Sequence, residues 1–238
     1  MKSKNNYKYY RTLLGYTERK IYDLFLSGFM KKENTLEITE GVFTKNLDYK
    51  KIINCVFLDN PQIFFINPTR FVVERKEKKL IFRFSVLYSR QQIEKIQSMI
   101  DEAKIKITAK CDGITDGEKK TKILHDCLAE KVEYCDLPNP PNDKHSLVGA
   151  LTQKSAVCSG YSQAFKYLCD SEGIACLIVE GKDNTSENHA WNIVNFGNGW
   201  YHVDVTWDST LKSHKYYLVN DDIISKDHFW NRELVPKC

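Results

Sequence analysis

The stretch from Asn188 to Val205, NHAWNIVNFGNGWYHVDV, constrains the fold more than any other. Apolar and polar residues alternate on both sides of Phe196-Gly197-Asn198-Gly199. That period of two marks strands with one buried face, and the Gly-Asn-Gly segment supplies the backbone freedom of a tight connection. HAWNIVNF and GWYHVDVTW are therefore neighbouring antiparallel strands. ACLIVEGK before them and KYYLVN after them alternate in the same way. Helical patterns lie ahead of this block, over 89–110, 116–132 and the segment that begins near Ser155. Helices first and an antiparallel sheet last predict an α+β fold.

Earlier in the chain the periodicity predicts a helix over 7–29, with Gly28 as a stop, and a second over LDYKKIINCVFLDNP. Asp48 is its cap, and Pro61 follows its end. TLEITE, QIFFIN, RFVVERK and LIFRFSVLY read as strands. The last two form a hairpin whose turn carries the charge run Glu74–Lys79. In the helix over 89–110, Ile93, Ile96, Met99 and Ile100 are expected to face the core. DLPNPPNDKHS (136–146) is a loop. The expected division is an extension over 1–115 and a core over 116–238.

Composition removes several function classes. With 42% hydrophobic and 28% charged residues, a chain of 238 can bury a substantial core. A net charge of +4, spread along the chain, lacks the clustered basic face of a nucleic-acid binder. No run approaches the length of a membrane span, and no export leader is legible. As it stands the sequence reads as cytoplasmic, although a leader removed from it would leave no trace. The eight cysteines include no C-x-x-C pair, so they read as reduced thiols rather than a metal or disulfide framework.

Within AVCSGYSQAF, Cys158 stands where a helical pattern begins. Ser155 is the expected cap, Gly173 the stop, and Val157, Tyr161, Phe165 and Leu168 the buried face. A helix N-terminus favours a thiolate, and its free N–H groups can hold an oxyanion. Gly160, lacking a side chain, leaves room for a substrate backbone. A thiol nucleophile needs a base, and the base needs an orienting group. His189 opens one strand of the hairpin and Asp204 lies in the other. They are within a few residues of being opposed. His202, His125 and His145 are the competing bases, and Asp208 is the competing orienter. Trp191, Trp200 and Trp207 read as sheet core, with Trp191 and Tyr161 also placed as cleft-lining candidates.

The blocks VCSGYSQAF, HAWNIV and WYHVDVTWD, in this order within 122–208, resemble the transglutaminase-like superfamily, a branch of the papain-like thiol enzymes. The resemblance implies a cysteine helix packed on an antiparallel sheet, with Cys158 as nucleophile, His189 as base and Asp204 as orienter. It also implies Gln153 as an oxyanion donor and Tyr134 as a residue lining the site. Residues 1–115 resemble the extensions of some bacterial members only weakly. The expected activity is acyl transfer on an amide of a peptide or protein, needing no metal or cofactor. Hydrolysis is the preferred outcome. Amine transfer to glutamine, or a non-catalytic binding role on this fold, remain as alternatives.

Overall fold

The computed structural model describes residues 7–39, 41 and 47–238. It divides into two compact units, one spanning Lys8–Ile93 and the other Glu94–Cys238 with Tyr7. The division falls inside a long helix, α4.

In the first unit, α1 (Tyr9–Thr12) and α2 (Tyr16–Met30) replace the single expected helix. Gly15 interrupts it in an extended conformation, and Glu18 Oε2 reaches back to accept from the Gly15 N–H at 2.7 Å. Gly28 is not a stop. A side chain there would meet Leu36 Cδ2 at 2.1 Å, so this glycine lets β1 (Thr35–Thr39) lie against α2. The last residue of TLEITE, Glu40, lies outside the described residues. Helix α3 (Tyr49–Asp59) starts at Asp48 as expected, the carboxylate accepting from Lys51 N at 3.0 Å. QIFFIN is not a strand. Ile63, Phe64 and Phe65 are buried in a turn, and the strand begins at Ile66. Strands β2 (Ile66–Lys76) and β3 (Lys79–Val86) form the expected hairpin around Glu77 and Lys78. The antiparallel order is β1-β3-β2. Phe25, Phe29, Phe82 and Phe84 fill its core, with ring centroids 4.9 Å apart for Phe29–Phe84 and 5.1 Å for Phe25–Phe82.

Helix α4 (Arg90–Thr108) buries Ile93, Ile100 and Ile107, while Met99 faces outward, contrary to its expected place. A stripe one heptad apart suffices for this helix, and Met99 falls at its edge. Helix α5 (Gly117–Lys131) is capped by Asp116, and a short strand, β4 (Glu133–Tyr134), follows it. The loop over 136–146 ends in a 3-10 turn at Asn142–His145. A helix not read from the sequence, α6 (Leu147–Thr152), comes next, capped by Ser146. Ser155 belongs to β5 (Ser155–Ala156), which runs parallel to β4.

The cysteine helix, α7, spans Cys158–Ser171 and starts after Val157 with no side-chain cap. Its anchoring is tertiary. Tyr161, Phe165 and Leu168 are fully buried, and each such side chain is worth about 1.5–3 kcal/mol, more than the roughly 1 kcal/mol of a cap. Gly173, at φ +74°, closes the turn after it. Helix α7 packs across β6 (Ala175–Asp183) and β7 (Asn188–Asn195). The hairpin continues into β8 (Trp200–Val203) with Asn195 opposite Trp200. Helix α8 (Val205–Leu211), β9 (Tyr217–Val219), α9 (Asp221–Ile224) and β10 (His228–Trp230) complete the chain. The antiparallel sheet has the order β10-β6-β7-β8-β9, giving the α+β class expected. All eight cysteines are free, and only Cys158 and Cys238 are not buried. Among the described residues no helix is long and apolar enough to cross a membrane.

Candidate active site

Cys158 is the first residue of α7, at a helix end with no side-chain cap. Gly160 N and Tyr161 N both turn back to Val157 O, so the first turn is formed without using the Cys158 and Ser159 N–H groups. The positive end of the helix therefore lies at the sulfur.

His189 is near the start of β7, paired with Gly181 of β6, and is 7% exposed. A side chain at Gly181 would meet Phe229 O at 2.3 Å and the Trp191 ring at 2.8 Å, so the close strand packing behind His189 requires glycine. Cys158 and His189 line one cleft of about 560 Å³, together with Tyr134, His145, Val157, Ser159, Glu180 and Asn188.

Asp204 does not continue β8 as the alternation predicted. It leaves the strand and caps α8, its Oδ1 accepting from Thr206 N at 2.9 Å and Trp207 N at 3.1 Å. Its Oδ2 accepts from His189 Nε2 at 2.7 Å and from His228 Nε2 at 3.0 Å. One fully buried carboxylate thus fixes a helix start and two imidazoles. With Nε2 committed to a carboxylate, the nitrogen left to His189 for the thiol is Nδ1. Burial alone pushes the His189 pKa down, but the Asp204 carboxylate and the Cys158 sulfur together raise it to about 10. Burial pushes Asp204 up, and the two imidazoles outweigh it, holding the carboxyl down at about 2.

Of the competitors, His202, His125 and Asp208 are engaged elsewhere, while His145 lines the cleft itself. His202 Nδ1 accepts from the Trp191 indole at 2.9 Å, and its Nε2 faces Asp221 Oδ1 at 2.9 Å. Indole only donates, so this ring is a neutral, fixed tautomer, and burial lowers its pKa. His125 is paired with Asp208 at 3.1 Å. Four further expectations need correction. Gln153 is exposed, its amide spent on Asp143 Oδ2 and Lys144 Nζ, so it is not a donor at the cleft. Gly160 is a packing glycine rather than an opening for substrate, because a Cβ there would lie 2.5 Å from Lys144 O. Tyr161 is core, its hydroxyl donating to Val132 O. Trp191 is likewise core, 1% exposed and stacked behind His189 at 5.8 Å.

His228 and the cleft position of His145 were not read from the sequence. The available signal was the Asp227-His228 pair in KDHFW, since His228 Nδ1 faces Asp227 Oδ1 at 2.8 Å. A three-residue strand is too short to show alternation. His189, Asp204 and His228 also bring three ligand atoms within 4.8 Å of one another, but Asp204 Oδ1 is spent on the Thr206 and Trp207 N–H groups, and His228 Nδ1 faces a second carboxylate, Asp227.

No curated protein matches the sequence. Among solved structures, a TGase is similar at TM-score 0.41 and 13% identity, over 72% of this chain and 50% of that one. A candidate cysteine protease from Cytophaga hutchinsonii is similar at TM-score 0.39 and 12% identity, over 68% of this chain and 65% of that one. The periplasmic domain of TgpA from Pseudomonas aeruginosa gives TM-score 0.35 and 15% identity, over 57% of each chain. The chain spans less than two thirds of each of these structures. Residues 105–205 match the family model of the transglutaminase-like superfamily, and this match covers α5, the cysteine helix, the histidine strand and Asp204.

Proposed function

We propose that this protein is a thiol enzyme that cleaves an amide bond of a peptide or protein by acyl transfer through Cys158, His189 and Asp204. The reading is carried by one observation. Cys158 and His189 line the same cleft, and the ring's other nitrogen is held at 2.7 Å by a fully buried carboxylate.

In this reading the sulfur attacks the amide carbonyl as a thiolate, the nucleophilic form of cysteine. The new S–C bond turns the carbonyl oxygen into an oxyanion, which the Cys158 and Ser159 N–H groups receive. Collapse breaks the C–N bond, and His189 delivers its Nδ1 proton to the departing amine, leaving a thioester. His189, now neutral, removes a proton from water, which attacks the thioester and releases the acid and the thiol. Asp204 keeps Nε2 protonated throughout, so the ring always offers Nδ1 to the reacting atoms. Tyr134 and His145 line the approach.

The test is acyl-enzyme trapping. The protein is incubated with a peptide-amide library, quenched in acid, and Cys158 is examined by mass spectrometry for a thioester. Adding hydroxylamine separates the acceptors, since a hydrolase gives mainly acid and an amine transferase mainly hydroxamate. A thioester on Cys158 that is absent in His189→Ala supports the reading. No adduct with any peptide, or one on another cysteine, contradicts it.

A further inference from the structure

Helix α5 and the segment between α8 and β9 bring His125, Asp126 and His214 together, with their ligand atoms all within 4.8 Å of one another. His125 Nδ1 lies 2.9 Å from Asp126 Oδ1, and His214 Nε2 lies 2.6 Å from the same oxygen. The His125 side chain is fully buried, and its Nε2 faces Asp208 Oδ2, also fully buried, at 3.1 Å. Asp208 is held in turn, its Oδ1 accepting from Tyr216 N at 2.9 Å. Both ring nitrogens of His125 thus face carboxylate oxygens, which only accept, so a neutral ring can donate to just one of them. The other contact then joins two acceptors.

His214 meets a second conflict. Its Nε2 is near Asp126 Oδ1, which calls for a donor, and 3.2 Å from Lys122 Nζ, which calls for an acceptor. One nitrogen cannot be both. Both contacts converge on Asp126, and positive charge there satisfies them, either as a second proton on each ring or as one metal ion held by all three groups. Lys122 supplies part of that charge, 2.6 Å from Asp126 Oδ2, but its ammonium offers no coordination to the imidazoles.

We infer that His125 Nδ1, the Asp126 carboxylate and His214 Nε2 form a binding site for a divalent transition metal of the zinc class. Two imidazoles and one carboxylate suit zinc, cobalt or nickel rather than calcium or magnesium. Asp208 stands where an outer carboxylate orients a metal-bound histidine and makes it more basic. Three protein ligands leave a position for water, and Lys122 swings away as the ion enters. The ion ties α5 to the segment after α8, the helix that Asp204 caps. The site shares no residue with the cleft.

The test uses the full chain with accessible thiols blocked by iodoacetamide, so that sulfur does not compete. Co2+ is titrated by absorption, Zn2+ by equilibrium dialysis with metal analysis, and each complex is followed by thermal unfolding. The expected result is one equivalent of Co2+ with a visible band of nitrogen and oxygen ligation, displaced by Zn2+, and a rise in Tm with either ion. His214→Ala, on an exposed side chain, removes binding and the Tm rise but leaves the metal-free Tm unchanged. Asp208→Asn weakens affinity about 10–100-fold. Lys122→Gln strengthens it, because the competing ammonium is gone. Binding that survives His214→Ala puts the ion elsewhere and overturns the proposal, as does the absence of stoichiometric binding in the wild type.

Discussion

Helix α8 presents two buried aspartates, Asp204 at its cap and Asp208 one turn on, and each holds a buried histidine. The pairs are alike in chemistry and unlike in what the histidine's other nitrogen meets. For His189 it meets the cleft and Cys158, where a proton can be exchanged with a reacting group. For His125 it meets Asp126, where there is no nucleophile to activate. A His–Asp pair is thus no catalytic mark by itself. The third group, placed by a different element, decides the use.

The comparison breaks most sharply at the sulfur. Cys158→Ala is expected to abolish thioester formation and to leave Tm nearly unchanged, because Cys158 is not part of the buried core. Next come the two aspartates. Asp204→Asn is expected to slow acylation by about 10²–10⁴-fold through loss of the held tautomer. Asp208→Asn is expected to change acylation by less than about threefold, because its carboxylate bonds to His125, Ser213 and Tyr216, none of which lines the cleft. Single-turnover thioester formation measures both. Equal losses would mean that the two pairs form one unit, and the contrast drawn above would fail.

Packing around the helix start gives a smaller effect. Gly160→Ala places a methyl 2.5 Å from Lys144 O, and backbone cannot yield cheaply. It is expected to cost about 1–3 kcal/mol by urea unfolding. A neutral result would mean that the 142–146 segment gives way.

Titration sharpens the comparison further. His189 has a folded pKa near 10, above its unfolded value of about 6.5. Its contribution to stability is therefore complete below pH 6.5 and is lost as pH rises through 10. Asp204 is depressed to about 2, so its contribution is complete above the unfolded value of about 3.9 and is lost as pH falls through 2. The stability gap between wild type and His189→Ala is expected to be largest between about pH 4 and 6.5 and to close toward pH 10. Unfolding curves across that range measure it. A gap that widens with pH has the wrong sign for this pairing. The smallest effect expected is that of Gln153→Ala, less than about twofold on acylation, since its amide is bound to Asp143 and Lys144.

Much of this was legible where a local rule acts alone. The FGNG hairpin, the Asp48 cap and the Gly173 stop each follow from backbone chemistry within a few residues. The Cys158, His189 and Asp204 blocks were legible because each sits at a definite place on its element. The rest depended on contacts remote in sequence. Ser155 is a good cap by type, yet it pairs with Glu133 in β5 instead, and buried aromatic side chains anchor α7. Asp204 sits in an alternating run, so its role as the cap of α8 was masked by the strand pattern before it. Gly160 has the residue type of an opening, but the backbone it faces, Lys144, is known only once the 142–146 loop is folded. His228 comes to Asp204 across 24 residues from a strand too short to signal itself.

The most direct measurement is the rate of iodoacetamide alkylation at each cysteine near neutral pH, resolved by mass spectrometry. It compares wild type, His189→Ala, Asp204→Asn and Asp208→Asn. Cys238 is the internal standard, being the other cysteine that is not buried. The account predicts that Cys158 reacts far faster than Cys238, that His189→Ala and Asp204→Asn slow it, and that Asp208→Asn does not. A Cys158 that reacts no faster than Cys238, and is indifferent to His189, would contradict the claim that this cleft holds an activated thiol.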